Sequence, residues 1–295
     1  MAFPGYPPSD HLLGDLGLEA EATTESSARV RIPATPQVAS ADGGVRAGVL
    51  ATLVDVVGGA IAARALRPNW MATADLSLEL VGPVLGPYVE ARGTLLRRGR
   101  TTLVVEAIVV GVDEHGDEPV VDGRSPDPVA WASMTFAVLP ARDSASAGLS
   151  GAELPARWAF DGKGLDLPVL EALPVTVLDG PAGRLSIPAR PYLHNSFGAV
   201  QGGVVALLAE AAGAEALGAA QRRDASDMVV TDLQIAYLAL GKVGPIVSSA
   251  RVLSPGAHGQ AGAVVELHDA GAGHRLTTVV NVTAVPVEHL VAAVR

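Results

Sequence analysis

The chain has 295 residues, of which 49% are hydrophobic and only 4% aromatic, so its cores must be packed mainly from valine, leucine, isoleucine and alanine. This length predicts two domains of about 150 residues each, and the absence of cysteine excludes disulfides, thiolate metal sites and a cysteine nucleophile. The formal net charge is −10 and the basic residues form no long tract, so neither a nucleic acid nor an anionic membrane is expected as a partner.

The start of the chain has no basic stretch followed by an apolar core, so no secretory signal is expected and we predict a cytoplasmic protein. Further along, the apolar run from Ala47 to Ala63 approaches the length of a membrane span. However, Asp55 at its centre would cost about 2.5 to 3.5 kcal/mol on insertion. We therefore predict a buried core helix and no membrane span.

The N-terminal half has the pattern of a short strand, one long helix and a strand meander. The short strand is SARVRIP at 27–33, and the helix is the apolar run. Segments with alternating apolar and polar residues follow at 72–86, 88–112 and 129–140, with a polar turn at 113–119. This alternation, bounded by glycine, proline and aspartate turns, predicts antiparallel strands.

The C-terminal half repeats this order. Strand-like residues at 175–188 precede a second apolar helix, and alternating segments follow at 230–244, 245–259, 261–275 and 276–286. Between the halves, residues 141–165 are rich in small and turn-forming residues, which is typical of a linker. We therefore predict an N-terminal domain of 1–142, a linker of 143–165 and a C-terminal domain of 166–295. In each domain the sheet must wrap the single apolar helix, so the predicted fold class is α+β, twice.

Each long helix carries one acid in its middle. Asp55 follows Gly48 by seven residues, and Glu210 follows Gly203 by seven residues. An ionisable side chain in such a run is costly to bury, so it is normally paired, solvated or used. The repetition favours a functional carboxylate, although a salt-bridged core residue is the alternative, above all for Glu210.

The order of elements, with HNSFGAVQGG ahead of Glu210, resembles the hotdog-fold thioesterases, particularly the PaaI-like acyl-CoA thioesterases. Their motif contains HN, a glycine, HGG and then an acid in the helix. In the second copy Gln201 replaces the usual histidine, and the matching residues are His194, Asn195, Gly198, Gly202, Gly203 and Glu210. The first copy keeps Gly48 and Asp55, but it has Ala39-Ser40 in place of His-Asn and Ala47 in place of the first glycine.

The resemblance implies two tandem hotdog domains that form an intrachain pseudo-dimer. Seven residues of helix span about 10 Å, which is too far for an acid and the amide at its own helix start to share one reacting carbon. If the two helices pack antiparallel, each acid lies opposite the start of the other helix. One composite site would then combine Asp55 with Asn195, Gln201 and Gly202. The other would combine Glu210 with Ser40, Arg46 and Ala47.

We place the chemistry at the Asp55 site, because it retains the asparagine and glycine of the family. The resemblance implies hydrolysis of an acyl-CoA thioester, with the Gly202 N–H holding the oxyanion and Asp55 as general base or nucleophile. Asn195 would orient the water or the acid, and Thr73 would hydrogen-bond to Asp55. Alternatively, Asn195 is an ordinary helix or turn cap. Gly202 and Gly203 could also permit close helix-to-sheet packing, a role compatible with the functional one.

Substrate-binding roles are expected for Gln201, Gly203 and a basic cluster. The cluster comprises Arg97, Arg98 and Arg100 and lies between two strands. The resemblance places it near the CoA phosphates, which guanidinium groups suit, although a solvated hairpin end is the alternative. No cofactor is expected beyond the CoA carried by the substrate. The seven histidines show no paired ligand spacing, so no metal site is expected either.

Other activities fit the sequence less well. There is no G-x-S-x-G elbow, no Walker-type G-K-[ST] and no dinucleotide fingerprint. A hotdog hydratase or dehydratase is disfavoured, since neither helix contains the histidine that those enzymes usually employ. A non-catalytic acyl-CoA or acyl-ligand binding protein is the main rival, because the first loop has lost motif residues. Self-association of the tandem unit is left open.

Overall fold

The computed structural model describes residues 8–82, 84, 86–118, 128–140, 156–256 and 260–293. The chain forms two compact units. The first comprises the residues up to Pro33 together with Leu53–Leu76 and Val81–Gly164, and the second comprises Ala34–Thr52, Ser77–Leu80 and the residues from Leu165 onward. Most of the predicted linker, residues 143–155, lies outside the described residues.

The first unit contains an antiparallel sheet in the strand order β7, β1, β2, β4, β5, β6, β3. Its strands are β1 (Glu19–Ala22), β2 (Ser27–Pro33), β3 (Trp70–Leu80), β4 (Tyr88–Arg98), β5 (Thr102–Val112), β6 (Ala130–Leu139) and β7 (Arg157–Ala159). The predicted strands at 27–33, 88–112 and 129–140 are confirmed, and the 88–112 segment forms the hairpin of β4 and β5. The predicted segment at 72–86 forms a strand only as far as Leu80, where β3 ends.

The described residues contain two long helices and three short ones. Helix α2 (Ala47–Ala65) belongs to the first unit from Leu53 onward and packs on its sheet. Its Gly58 lies against Met134 and Phe136 of β6, while its Val57 and Ile61 lie against Gly93 of β4. The small residues of the helix therefore let the sheet approach closely. The short helices are α1 (Leu12–Asp15), α3 (Val169–Ala172) and α5 (Val287–Ala293).

The second unit contains an antiparallel sheet in the strand order β10, β13, β12, β11, β9, β8. Its strands are β8 (Thr176–Asp179), β9 (Arg184–Ile187), β10 (Met228–Tyr237), β11 (Ile246–Ser254), β12 (Ala261–Asp269) and β13 (Arg275–Pro286). Helix α4 (Gly202–Gln221) packs on this sheet, with Gly213 against Val282 of β13. The helix ends where Arg222 adopts a left-handed conformation.

Both long helices are apolar and long enough to cross a membrane by length and composition alone. In α2, however, 67% of the apolar window is buried within the protein, and in α4 the share is 78%. Such burial is typical of core helices in a packed domain, where the sheet satisfies the apolar surface. The prediction of a buried core helix at Ala47–Ala63 is therefore confirmed.

The end of the predicted linker forms a strand. Residues Arg157–Ala159 form strand β7, which pairs with β1. Neither of these two strands was predicted from the sequence. Glu21 of β1 binds Arg29 of β2 at 2.6 Å and Arg157 of β7 at 2.7 Å. These ion pairs and the backbone pairing attach the end of the linker to the edge of the first sheet.

Candidate functional site

The loops that precede the two long helices have the same backbone structure, position by position, although their amino acids differ. The isolated bridge between Ala39 and Val45 recurs between His194 and Val200, which is a constant offset of 155 positions. Short 3-10 turns at Pro36–Val38 and Pro191–Leu193 obey the same offset. Ser40 therefore corresponds to Asn195, Arg46 to Gln201, Ala47 to Gly202 and Asp55 to Glu210.

The structure brings Glu210 to the start of α2. The side chain is buried, with 3% exposure. The Gly48 N–H donates to Glu210 Oε2 over 2.8 Å, and Arg46 Nη1 lies 3.6 Å from Glu210 Oε1. Burial raises the pKa of Glu210, while the charge of Arg46 and the Gly48 N–H act to lower it. The Ser40 hydroxyl donates to Asp42 instead, and the helix-start amide that binds Glu210 belongs to Gly48, not Ala47.

Two glycines allow the start of α2 and helix α4 to come into backbone contact. A Cβ on Gly48 would lie 2.6 Å from the Leu207 Cα, and one on Gly203 would lie 2.8 Å from the Thr52 Cα. The contacts run in opposite chain directions, so the two segments cross antiparallel. This packing explains why residues 34–52 group with the second unit. Gly203 therefore has a packing role, but against the start of α2 and not against a sheet as the sequence alternative had it.

Asp55 lies in the first unit and is held by Thr73. The Thr73 hydroxyl donates to Asp55 Oδ1 over 2.7 Å, as the sequence analysis expected. Burial raises the pKa of Asp55, and the hydrogen bond from Thr73 lowers it by a smaller amount. No described residue donates a hydrogen bond to Oδ2. The catalytic roles of Asp55 and Thr73 stay predictions, as does the grouping of Asp55 with residues of the second unit.

Asn195 closes the loop ahead of α4. Its Oδ1 accepts from the N–H groups of Phe197 at 2.9 Å and Ala199 at 3.2 Å. This is the capping role that the sequence left open, and it fixes the orientation of the side chain. Among the described residues nothing accepts from the Nδ2 amide, so this group is available to a substrate or a water.

Gln201 and Gly202 form the start of α4. Gln201 is the N-cap residue and is only 5% exposed, yet its Oε1 has no hydrogen-bond partner within the described chain. Gly202 is the first helical residue, where backbone N–H groups lack partners inside the helix. Its carbonyl accepts from the Tyr237 hydroxyl over 3.1 Å. An unpaired acceptor beside unpaired amides is an arrangement that can bind a polar ligand.

The basic cluster lies at the tip of the β4–β5 hairpin. Arg97 and Arg98 end β4, and Arg100 lies in the turn. All three side chains are exposed, and none of them pairs with an acid in the described part of the chain. The structure therefore leaves these cations available to an anionic ligand.

Over the same described ranges, no group of three or more His, Asp or Glu is placed to hold a metal ion.

Sequence analysis missed two groups at these helix starts. The Gly48 amide was treated only as part of a spacing, and the Tyr237 hydroxyl was not considered. The signal for Gly48 was present, because an antiparallel crossing of two helices with the same seven-residue spacing places each acid opposite the other glycine. Tyr237 lies on β10, whose register against α4 depends on packing that a single sequence does not specify.

Comparisons with known proteins point to one family. The sequence profile described as the Thioesterase superfamily matches twice, at residues 43–116 and at residues 197–268. A protein of Halobacterium salinarum that is named as an esterase is 33% identical over 119 residues, which cover 37% of this chain and 78% of that protein. Each profile match begins in the loop ahead of a long helix and includes its acid.

Solved structures of similar fold match nearly the whole chain. A protein of Novosphingobium aromaticivorans that is named as a thioesterase has a TM-score of 0.58 at 18% identity and covers 90% of this chain and 98% of its own. The tesB protein of Mycobacterium avium subsp. paratuberculosis has a TM-score of 0.59 at 12% identity, with coverage of 90% and 95%. An acyl-ACP thioesterase of Bacteroides thetaiotaomicron has a TM-score of 0.52 at 12% identity, with coverage of 89% and 100%. Together with the two profile matches, these likenesses show a tandem hotdog fold.

Proposed function

The chain belongs to the thioesterase superfamily, and on that premise we propose that it hydrolyses acyl-CoA thioesters to the free acid and coenzyme A. The observation that carries this proposal is the carboxylate of Asp55. It lies in the middle of an apolar core helix, its pKa is raised by burial, and only one of its oxygens accepts a hydrogen bond from the described chain. A carboxylate of raised pKa with a free oxygen is suited to proton transfer near neutral pH.

In the general-base route, Asp55 takes a proton from a water molecule while the water oxygen adds to the thioester carbonyl carbon. The carbon–sulfur bond then breaks, and the proton passes to the departing CoA thiolate. In the nucleophilic route, Asp55 itself attacks the carbonyl carbon and expels the thiolate, and water then hydrolyses the mixed anhydride. Single-turnover hydrolysis in ¹⁸O-water tests for the second route: if water attacks the anhydride at the Asp55 carbonyl carbon, the label remains in the Asp55 side chain, which the general-base route never labels.

The electrophilic half of the proposed site comes from the loop ahead of α4. The Gly202 N–H, at a helix start, would hold the oxyanion, and the free Nδ2 amide of Asn195 would orient the water or the acid. The unpaired Oε1 of Gln201 would accept from an N–H or O–H of the substrate. This assignment joins residues of both units in an intrachain pseudo-dimer, as the resemblance to hotdog thioesterases implies. Glu210 contacts the start of α2, and Asp55 is the equivalent residue of the other copy, so this contact supports the assignment of Asp55 to the start of α4.

The acyl-CoA specificity is supported by the basic cluster. Three exposed arginines without acid partners in the described chain offer paired N–H donors for the phosphates of CoA. No cofactor or metal is required by this chemistry. We further propose a cytoplasmic location, where acyl-CoA substrates would be encountered.

A panel of acyl-CoA thioesters assayed for release of free thiol tests the proposal, with Asp55→Asn as the control. Thiol release by the wild-type protein that falls in the variant supports hydrolysis at Asp55. Saturable binding of acyl-CoA without thiol release would instead favour an acyl-CoA binding protein. The ion pair between Arg46 and Glu210 favours this second candidate, because it shows that one of the two acids is held by a cation.

A further inference from the structure

The two equivalent loops differ in charge at several positions, and one of these lies beside Glu210. Where the loop ahead of α4 has Gln201, the loop ahead of α2 has Arg46, and Arg46 pairs with Glu210. We propose that Arg46 silences the Glu210 centre, so that the tandem chain has a single hydrolytic centre, at Asp55. This inference rests on the proposed thioesterase function and assigns a positioning role to Arg46.

Both oxygens of Glu210 are engaged. Oε2 accepts from the Gly48 N–H at 2.8 Å, and Oε1 faces the Arg46 guanidinium at 3.6 Å. A carboxylate whose two oxygens already face an amide and a cation has no free oxygen with which to take a proton from a water or attack a carbonyl carbon. The Asp55 carboxylate accepts only from the neutral hydroxyl of Thr73. The two acids occupy equivalent helix positions and burial raises the pKa of both, but only Glu210 has a cation beside it.

The rest of the first loop agrees with a silenced centre. Ser40 stands at the position of Asn195, and its hydroxyl is used within the loop by Asp42. The amide group that Asn195 offers from its Nδ2 therefore has no counterpart ahead of α2. The missing amide limits how much activity the Glu210 centre can regain, while the Arg46 cation is what blocks the carboxylate itself.

The backbone at Arg46 does not require an arginine. The Arg46 N–H donates to the Val38 carbonyl over 3.0 Å, and the Gln201 N–H makes the equivalent bond to Leu193 over 2.9 Å. The Arg46 Nε is buried without a hydrogen-bond partner in the described chain. Since the same loop conformation already accommodates glutamine at the equivalent position, Arg46→Gln is a substitution that the fold should accept.

The test is carried out on the full chain in an Asp55→Asn background, which removes the proposed active centre. We expect Asp55→Asn/Arg46→Gln to regain thiol release by at least about tenfold over Asp55→Asn alone, because the freed carboxylate can act as a base. Adding Glu210→Gln should abolish that gain. Asp55→Asn/Arg46→Lys, which keeps the cation, is the matched control and should regain nothing. If Arg46→Gln fails to fold, Arg46→Met removes the charge at similar side-chain length.

Four outcomes overturn the inference. Arg46 does not silence the centre if the folded, charge-removing variant regains no activity, or if the lysine variant regains as much. The same holds if the regained activity survives Glu210→Gln, or if Asp55→Asn alone remains active through Glu210. If the wild-type protein releases thiol but the Arg46 variants do not behave as expected, this inference is wrong and the proposed function stands. A wild-type protein that hydrolyses none of the thioesters sinks the proposed function, and the inference with it.

Discussion

Thr73 donates its hydroxyl hydrogen to Asp55 across 2.7 Å, and this bond lowers the pKa of a carboxylic acid that burial raises. Thr73→Val removes the donor, so the pKa of Asp55 should rise further. Because a base acts only when ionised, the ascending limb of kcat/KM against pH should move to higher pH. Thr73→Ser keeps the hydroxyl and should leave the limb near its wild-type position. A limb that stays in place or moves to lower pH in Thr73→Val would remove Asp55 as the titrating base.

Asp55→Asn and Glu210→Gln test the choice between the two acids. Each substitution keeps the size of the side chain and removes its charge. Asp55→Asn should lower kcat by at least about two orders of magnitude if the acid acts as base or nucleophile. Glu210→Gln should have a milder effect, because that carboxylate is engaged by Arg46 and Gly48. Steady-state kinetics of both folded variants decides the matter, and the reverse result would transfer the chemistry to Glu210.

The close helix crossing predicts the effect of a single methyl group. An alanine at position 48 would place its Cβ 2.6 Å from the Leu207 Cα, so the helices must separate. We expect Gly48→Ala to lower the free energy of unfolding by about 1 to 3 kcal/mol, the usual cost of overpacking. On the same helix, a Cβ at Gly59 meets no atom within 4 Å, so Gly59→Ala should stabilise by about 0.5 to 1 kcal/mol. Urea denaturation of the pair would contradict us if both variants shifted alike.

The basic cluster is tested by kinetics at saturating and limiting substrate. Arg100→Ala, with Arg97→Ala and Arg98→Ala as alternatives, should raise KM for acyl-CoA more than it lowers kcat, because the phosphates lie far from the reacting carbonyl. A substrate with the same acyl group on a truncated thiol that lacks the phosphates should show no such change. An unaltered KM in all three folded variants would leave the cluster as an exposed hairpin tip.

Asp269 supports the loop next to Gly241, whose carbonyl accepts from the Val200 N–H ahead of α4. The carboxylate is buried and accepts from the N–H groups of Lys242, Val243 and Gly244 at 2.8 to 3.0 Å. Burial alone would raise the pKa of Asp269, but these hydrogen bonds outweigh it and lower the pKa overall. The stabilisation is therefore present above the unfolded-state pKa and lost as the pH falls through the folded-state value. In Asp269→Asn the acid-induced loss of stability, followed by circular dichroism, should be smaller than in the wild type.

Much of the fold follows from the local pattern of apolar and polar residues in the sequence. The long helices and the main strands were predicted, because alternation and apolar runs of ten residues or so are strong signals. Strands β1 and β7 were missed, since segments of three or four residues carry too little periodicity to be recognised. One of the two predicted groupings is seen: the seven-residue spacing placed Glu210 opposite the start of α2, while the grouping of Asp55 stays a prediction. The prediction named Ala47 there, although the spacing itself pointed to Gly48, which is the donor.

The constant offset between the two loops has an evolutionary consequence. In an enzyme made of two identical subunits, any substitution appears at both active centres at once, so a cation such as Arg46 would disable both. Joining two copies in one chain separates their fates, because a mutation then alters one loop and spares its counterpart. One copy can preserve the reacting groups while the other is free to become part of the scaffold. The covalent link thus relaxes selection on half of the sequence without loss of the activity carried by the other half.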